Sequence, residues 1–558
     1  MNRFLRLRSH PVLLWTIAIF VAFSVIILSH YESSDPDSEF YTFLVRQLHE
    51  RPWTDWLTPQ WMGRQNLALI GYVQDHFVGH LIPALLLSAA GFPALQSLYA
   101  LNIFYTAATL WMSCACANQF FSEKTSQSLL WSLQFLIIAF AYRIRANHEQ
   151  LVLLTSLVGG YAGARMRKHL GWVSLVAVAT CVCFLVKGVV FFIVIGAAAI
   201  AFSTDFFAMS RARFLSGALL IFLALLSPVL LAVPYEIQYI AVNGESILKP
   251  YWAIQIWGRS VVVEASGGPS WLLRLRNIGY YLGAGVWFSM PSTIVLGWWI
   301  YSCRKWWRLK SQKHCLNTKW TAIRLIRSIR SIRSIRWGEW LRAVRLLFSK
   351  PETKGFVLFF TVSLSIIFIF SMSNRTGVRY VFPLYGFLGV GCMLSLAIVS
   401  PKFFSLIERV NAWGVHRFSA LLWLFFVVVT VVTTNVGPLR GSREGDVKNL
   451  FEGARVLKRE LKAGRAQVSE VNRLRFSTNS VAVILSYFES LNIKAVRTNF
   501  GSYAAIKIVP GNTSDLNKLA AASSKPVVFV PDALLFLSSG VISDMEILSE
   551  KDIWKAAL

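Results

Sequence analysis

Residues 173–202 read VSLVAVATCVCFLVKGVVFFIVIGAAAIAF. One charge, Lys187, stands in the whole stretch, and Gly188 follows it. A helix needs about 20 apolar residues to cross a hydrocarbon core of ~30 Å. The stretch is too long for one crossing and, divided at Lys187-Gly188, it makes two, at 171–187 and 189–204. Working outward, comparable runs fall at 12–29, 95–117, 127–143, 149–164, 214–233, 278–302, 355–372, 379–399 and 418–436. The run 77–92 is shorter, holds Pro83 and ends in Gly91-Phe92-Pro93. It reads as a re-entrant or interfacial helix, tolerated where protein or a wet cavity surrounds it.

The bulk composition agrees. Of 558 residues, 55% are hydrophobic and only 15% charged, with a mean hydropathy of +0.51, which excludes a soluble globular protein. The formal net charge of +28 would suggest nucleic acid in a soluble chain. Here the basic residues sit between apolar runs, as in cytoplasmic loops facing anionic membrane lipids, so nucleic acid is not an expected partner. Arg3, Arg6 and Arg8 precede the run Pro11 to Leu28 with no small-residue cleavage site after it; it reads as an uncleaved first span with a cytoplasmic N-terminus. The seven cysteines, Cys114, Cys116, Cys181, Cys183, Cys303, Cys315 and Cys392, lie in apolar spans or a basic loop, so no disulfide framework is expected.

Charge also sets the sidedness. If 77–92 does not cross, Arg165, Arg167, Lys168, His169, Arg211, Arg213 and the basic loop 303–353 all fall inside, as the positive-inside rule requires. The expected fold is mainly α: a polytopic membrane helical bundle of about 11–13 spans, with outer-face juxtamembrane helices and a small C-terminal α/β periplasmic domain. A transmembrane module would occupy 1–436, with a first outer loop at 29–75, a lid-like outer segment at 234–277 and the basic cytoplasmic loop 303–353. A soluble periplasmic domain would occupy 437–558, with helices at 452–461 and 481–491 and a strand in Lys525 to Pro531. Within 303–353, the Ile-Arg-Ser repeat of Ile326 to Ser334 has a period close to one helical turn and could make a basic interfacial helix on the inner leaflet; the preferred reading is a repeat expansion in a tolerant loop.

Four polar groups fall on the outer side. The first loop is acidic in a basic chain: Glu32, Asp35, Asp37, Glu39, Glu50, Asp55 and Asp75 face Arg46, Arg51 and Arg64. Within it, Asp37-Ser38-Glu39-Phe40-Tyr41 opens a helix over Phe40 to His49. Tyr142 to Glu149 makes a polar hairpin between two spans. Lys187 is an ionisable group inside an apolar stretch, which is costly and a functional candidate by default. Ser373 to Tyr380 carries Arg375, Arg379 and Tyr380, with Tyr385 close behind; guanidinium groups at this depth suit a lipid phosphate, to which they donate paired hydrogen bonds.

These residues, in this order, resemble the integral-membrane glycosyltransferases of the GT-C superfamily, and within it the protein O-mannosyltransferase and aminoarabinose (lipid A) transferase group. Asp37-Ser38-Glu39-Phe40-Tyr41 matches the acidic motif of the first outer loop. Phe184-Leu185-Val186-Lys187-Gly188 matches the lysine–glycine motif, and Arg379-Tyr380-Val381-Phe382-Pro383-Leu384-Tyr385 the late arginine–tyrosine–proline motif. Asn147-His148-Glu149 stands at the second acidic site. Asp75-His76-Phe77 stands where the family has an acid–lysine–proline–proline stretch, which this chain lacks. The resemblance covers roughly residues 1–400.

It implies a multi-pass protein of the bacterial inner (plasma) membrane, with a periplasmic C-terminus, that transfers a sugar from a polyprenyl-phosphate donor to a lipid (lipid A, lipopolysaccharide) or protein acceptor. It implies Asp37 and Glu39 as the catalytic carboxylates. Tyr41, Lys187, Arg375, Arg379, Tyr380 and Tyr385 would bind substrate. Asp75, His76 and Glu149 are the candidates for a divalent metal ion of unspecified identity. The alternative is a polytopic transporter or flippase of a lipid-linked saccharide, which would carry internal repeats and ionisable groups at mid-membrane.

Overall fold

The computed structural model describes residues 51–58; 77–121; 148–257 without 245; 270–302 without 290–291, 295 and 299; 350–400 without 374–376 and 378–379; and strands at 466–475, 503–510, 527–530 and 533–536. It also describes single helical positions at 18, 41, 44–45, 48–49, 402, 405–406 and 409.

The chain is a bundle of apolar helices: α1 Ile82–Ala89, α2 Ala94–Ala117, α3 Glu149–Met166, α4 Val173–Lys187, α5 Phe192–Ser203, α6 Arg211–Asn243, α7 Ser270–Phe288, α8 Pro351–Ser371 and α9 Phe382–Val399. Four described stretches are long and apolar enough to cross a bilayer: Gln96–Ala117, Leu170–Ser203, Arg211–Val242 and Pro351–Ser371. The protein is therefore a multi-pass membrane protein. Leu170–Ser203 is not one rod. At its middle Gly188 takes φ +59°, a backbone conformation that only glycine adopts without strain, and the 3₁₀ turn Gly188–Phe191 turns the chain from α4 into α5. The division read from Lys187-Gly188 is thus a reversal, giving two passes.

The packing fixes the directions. A Cβ on Gly159 would lie 2.6 Å from the Val194 carbonyl oxygen, and one on Gly163 would overlap Ala198. Glycines four apart let the backbones of α3 and α5 touch, the small-xxx-small contact of membrane helices. Because Gly159 meets Val194 and Gly163 meets Ala198, α3 and α5 run parallel. The start of α3 meets the end of α4, as described below, so α4 runs antiparallel to both. Around them, α2, α8 and α9 close a core of Leu153, Leu157, Phe359, Leu384 and Phe387, all buried.

Outward faces are apolar too. Leu219, Phe222, Leu226, Leu230, Val233 and Ile237 along α6 are exposed, at the three- and four-residue spacing of one helix face. Such a face suits a lipid surrounding.

Two boundaries differ from expectation. α6 runs on to Asn243 through Pro228 and Pro234, ten residues beyond the expected end at 233. Proline 228 removes the amide that would bond the Ala224 carbonyl, and Ser227 Oγ donates to that carbonyl instead at 2.7 Å. α7 begins at Ser270, so both ends of the segment expected over 234–277 are helical, in α6 and in α7. The run 77–92 folds as the 3₁₀ turn Gly79–Leu81 and α1. At eight residues α1 is about 12 Å long, too short to cross. In the C-terminal region, β1 Ala466–Arg475 pairs antiparallel with β2 Tyr503–Pro510, and β3 Val527–Val530 with β4 Ala533–Phe536. The helices expected at 452–461 and 481–491, the spans at 127–143 and 418–436, most of 12–29, and the loop 303–349 with its repeat lie outside the described residues.

Candidate functional site

α3 begins with an acid and α4 ends with a base. Each charge sits at the helix end that the backbone dipole favours, carboxylate at the N-terminus and ammonium at the C-terminus. The antiparallel packing brings them together: Lys187 Nζ lies 3.2 Å from Glu149 Oε1, with side chains only 17% and 5% exposed. In surroundings this buried the two groups attract each other strongly. The second carboxylate oxygen, Glu149 Oε2, is buried and has no hydrogen-bond partner among the described residues.

Aromatic rings surround the pair. Lys187 Nζ lies 5.7 Å from the centre of the Tyr380 ring, a cation–π distance. On the other side, His148 Nε2 is 3.8 Å from Glu149 Oε1. Tyr41 Oη and His148 Nδ1 are 3.1 Å apart. With Nδ1 as acceptor, the phenol donates to it and His148 carries its ring proton on Nε2, on the side of Glu149. The buried His80 ring meets Tyr41 edge-on at 4.4 Å and lies 5.1 Å from the His148 ring. His80 is held there by the 3₁₀ turn, which packs directly on α4: a Cβ on Gly79 would lie 2.6 Å from Leu185 Cβ.

The surrounding elements hold this cluster from three sides. The Tyr251 hydroxyl donates to the Lys187 carbonyl at 3.3 Å and accepts from the Val189 amide at 3.0 Å. Any side chain on Gly188 would overlap the Tyr251 ring. Phe77 packs against Phe184, Tyr235 and Tyr251, and the Tyr235 hydroxyl donates to the Leu57 carbonyl at 2.8 Å, tying the first outer loop to α6. Asn277 Nδ2 donates to the carbonyls of Ser371, 3.3 Å, and Ser373, 2.6 Å, anchoring the start of the turn that leads to Tyr380.

Each of the four outer polar groups read from the sequence therefore sends a side chain to one place: Tyr41, Glu149 with His148, Lys187, and Tyr380. Tyr385 is elsewhere, enclosed in the core against Phe288 and Phe382. Asp37, Glu39, Asp75, His76, Arg375 and Arg379 lie outside the described residues. Sequence reasoning missed His80 and gave His148 no role. The available signal for His80 was a histidine in an otherwise apolar Phe77-to-Leu87 run, an expensive placement unless the ring meets polar neighbours.

Glu149 was expected as a metal ligand and is found paired with Lys187. An ammonium group beside the carboxylate disfavours a dication at the same place, and among the described residues no group of three His, Cys, Asp or Glu side chains is arranged to hold a metal ion. Asp75 and His76, the other two candidate ligands, lie outside the described residues.

The chain shares its fold with a solved structure. The chain superposes on ArnT from Cupriavidus metallidurans bound to undecaprenyl phosphate with a TM-score of 0.54 at 13% identity, covering 96% of this chain and 99% of that one. The apo state of the same ArnT gives 0.49 at 13% identity over 95% and 98% of the two chains. The oligosaccharyltransferase AglB from Archaeoglobus fulgidus, in complex with an inhibitory peptide and a dolichol-phosphate, gives 0.42 at 14% identity over 80% and 58%. No protein-family model matches the chain, and no curated protein matches it in sequence.

Proposed function

We propose that the protein is a glycosyltransferase that moves a sugar, hexosyl or pentosyl, from a polyprenyl-phosphate donor to a hydroxyl or phosphate of a lipid A, lipopolysaccharide or protein acceptor, on the periplasmic side of the inner membrane. The observation that carries this reading is the buried Lys187, held with Glu149 and Tyr380 at the same end of the bundle as Tyr41. A buried ammonium beside a tyrosine ring and close to the bundle's end is suited to an anionic lipid head group, and a donor of this class presents one. The fold shared with a protein solved bound to undecaprenyl phosphate supports the same reading.

In the proposed reaction Asp37 orients the acceptor and removes its proton as the acceptor oxygen attacks the anomeric carbon. The bond from that carbon to the phosphate oxygen breaks, and the electron pair leaves with the lipid phosphate. A carboxylate serves here because it must sit close to the attacking oxygen, on the far side of the carbon from the leaving group. Glu39 assists the acceptor side. Lys187, Arg375, Arg379 and Tyr380 stabilise the charge that grows on the leaving phosphate. A lipid phosphate is a competent leaving group by itself, and no step is routed through a metal. In this reading the outer segment, drawn from the sequence as 234–277, serves as a lid, and residues 437–558 make up a separate periplasmic α/β domain.

The test is glycolipid and glycoprotein mass spectrometry on cells with and without the gene, and with Asp37→Asn. The reading expects one glycoconjugate to lose a sugar on deletion and not to regain it with the variant. An unchanged glycoconjugate profile on deletion would sink it.

A further inference from the structure

The end of the bundle opposite the Lys187 cluster carries more positive charge than its acids answer. Asp205 is taken by Arg167 and Lys354. Arg165 and Lys168 at the end of α3, and Arg211 and Arg213 at the start of α6, pair with no carboxylate among the described residues. Lys168 and Arg211 are exposed, and Arg165 and Arg213 half-buried. The two half-buried arginines are held in place. Arg165 Nε donates to the Tyr161 hydroxyl at 3.1 Å, and its guanidinium lies 5.5 Å from the Tyr161 ring centre and 5.4 Å from that of Trp172. Arg213 Nη2 donates to the Lys168 carbonyl at 2.5 Å, which ties the start of α6 to the turn between α3 and α4. Like charges gathered in this way repel one another, and an anion with several oxygens relieves the repulsion. A phosphate diester is such an anion, and guanidinium groups bond its oxygens in pairs.

Position narrows the choice of anion. Arg211 stands four residues before Leu215, and Leu215, Leu219 and Phe222 are exposed along one face of α6. The cations therefore crown a face that suits lipid chains. Trp172, half-buried, lies among them, as aromatic side chains do at the head-group level. A glycerophospholipid with a net negative head group presents both parts at once, a phosphate above and acyl chains below.

We propose that the end of α3 and the start of α6 form a binding site for an anionic phospholipid, in the leaflet opposite the Lys187 cluster. Arg165, Lys168, Arg211 and Arg213 take its phosphate and head group, and the face from Leu215 to Phe222 takes its acyl chain. The lipid reinforces the contact of Arg213 with Lys168 and so clamps the α3–α4 hairpin, whose far end carries Glu149 and Lys187. No covalent bond changes, and the site is independent of the transfer reaction proposed above.

The experiment records melting curves and native mass spectra of the full-length protein in non-ionic detergent. It is titrated with phosphatidylglycerol, with phosphatidylethanolamine and, in a separate arm, with inorganic phosphate. The site predicts bound phosphatidylglycerol and a raised melting temperature, a smaller response to phosphatidylethanolamine and none to inorganic phosphate. Arg165→Gln and Arg213→Gln are each expected to weaken phosphatidylglycerol binding about fivefold, the worth of one basic side chain at an anionic lipid surface. Lys350→Gln, which removes an exposed charge at the same end beside α8, is expected to leave it unchanged. If Arg213→Gln does not fold, Lys168→Gln and Arg211→Gln carry the same prediction, because they remove exposed charges without touching the Arg213 contact. Equal binding of the two lipids overturns the site, as does unchanged phosphatidylglycerol binding in the folded variants or an equal loss in Lys350→Gln. A response to inorganic phosphate as large as that to phosphatidylglycerol marks a free-anion site and overturns the lipid assignment.

Discussion

At the end of a membrane helix a lysine side chain reaches water or meets a carboxylate. Lys187 does the second, which makes its replacement informative. Lys187→Met leaves Glu149 as an unpaired buried carboxylate, and breaking a buried pair from one side costs about 3–5 kcal/mol. The double variant Lys187→Met with Glu149→Gln removes both charges and is expected to recover most of that loss. Thermal unfolding in detergent measures both, and an equal melting temperature for single and double variants would contradict the pairing. Asp37→Asn tests a different role: transfer is expected to fall by about 10²–10⁴-fold, the usual worth of a general base, with undecaprenyl phosphate binding retained. Initial-rate and binding assays on the same preparation separate the two effects. At this scale the sequence exposed Lys187, Tyr41, Tyr380 and Glu149, because charged or hydroxylated side chains stand out in or beside apolar runs. It did not expose the pairing of Glu149 with Lys187, thirty-eight positions apart, nor His80, whose neighbours come from other elements.

Helices in this bundle are placed by small residues more than by side-chain chemistry. The α3–α5 contact depends on Gly159 and Gly163, whose missing side chains admit Val194 and Ala198. Gly163→Val is expected to push α5 away, displace the α4–α5 turn and so part Lys187 from Glu149. The expected readout is a lower yield of folded protein on size exclusion, together with a melting temperature below that of wild type. Gly188→Ala carries two costs. The positive-φ backbone, φ 59° and ψ −127°, disfavours any side chain by about 1–3 kcal/mol, and the Tyr251 ring occupies the space. Replacing Tyr251 as well relieves only the second, so a double variant no more stable than Gly188→Ala would contradict the packing role of Tyr251. The expected end of α6 at 233 stops just before Pro234, yet the helix runs on through it to Asn243. At the earlier Pro228, Ser227 supplies the hydrogen bond that the proline removes, a compensation visible only in three dimensions.

Across the molecule the polar groups separate to two ends. Opposite the site, Arg167 Nη1 is 2.7 Å from Asp205 Oδ2, Lys354 pairs with the other Asp205 oxygen, and Arg167 Nη2 donates to the Gln119 carbonyl at 3.2 Å. These contacts join the C-terminal ends of α2, α3 and α5 to the start of α8. The two ends are separated by the length of α3, 18 residues, about 27 Å, close to one hydrocarbon core. Membrane-impermeant thiol labelling therefore has a definite expectation in a cysteine-free background. Ser246→Cys should react from the periplasmic side and Lys168→Cys only after permeabilisation. Labelling of both from one side would contradict the crossing pattern.

The membrane-spanning class followed from the sequence alone, because apolar run length and the scarcity of charge are local properties that a bilayer reads directly. The candidate residues were local as well, each a polar group where a polar group is costly. The tertiary structure decided which of them meet. Hydropathy says where a helix lies but not which face it turns to which neighbour, and that was settled here by the reversal at Gly188 and by glycines that let backbones touch. It also decided that Glu149 faces an ammonium group, a partner brought close only when antiparallel helices align the start of one with the end of the next.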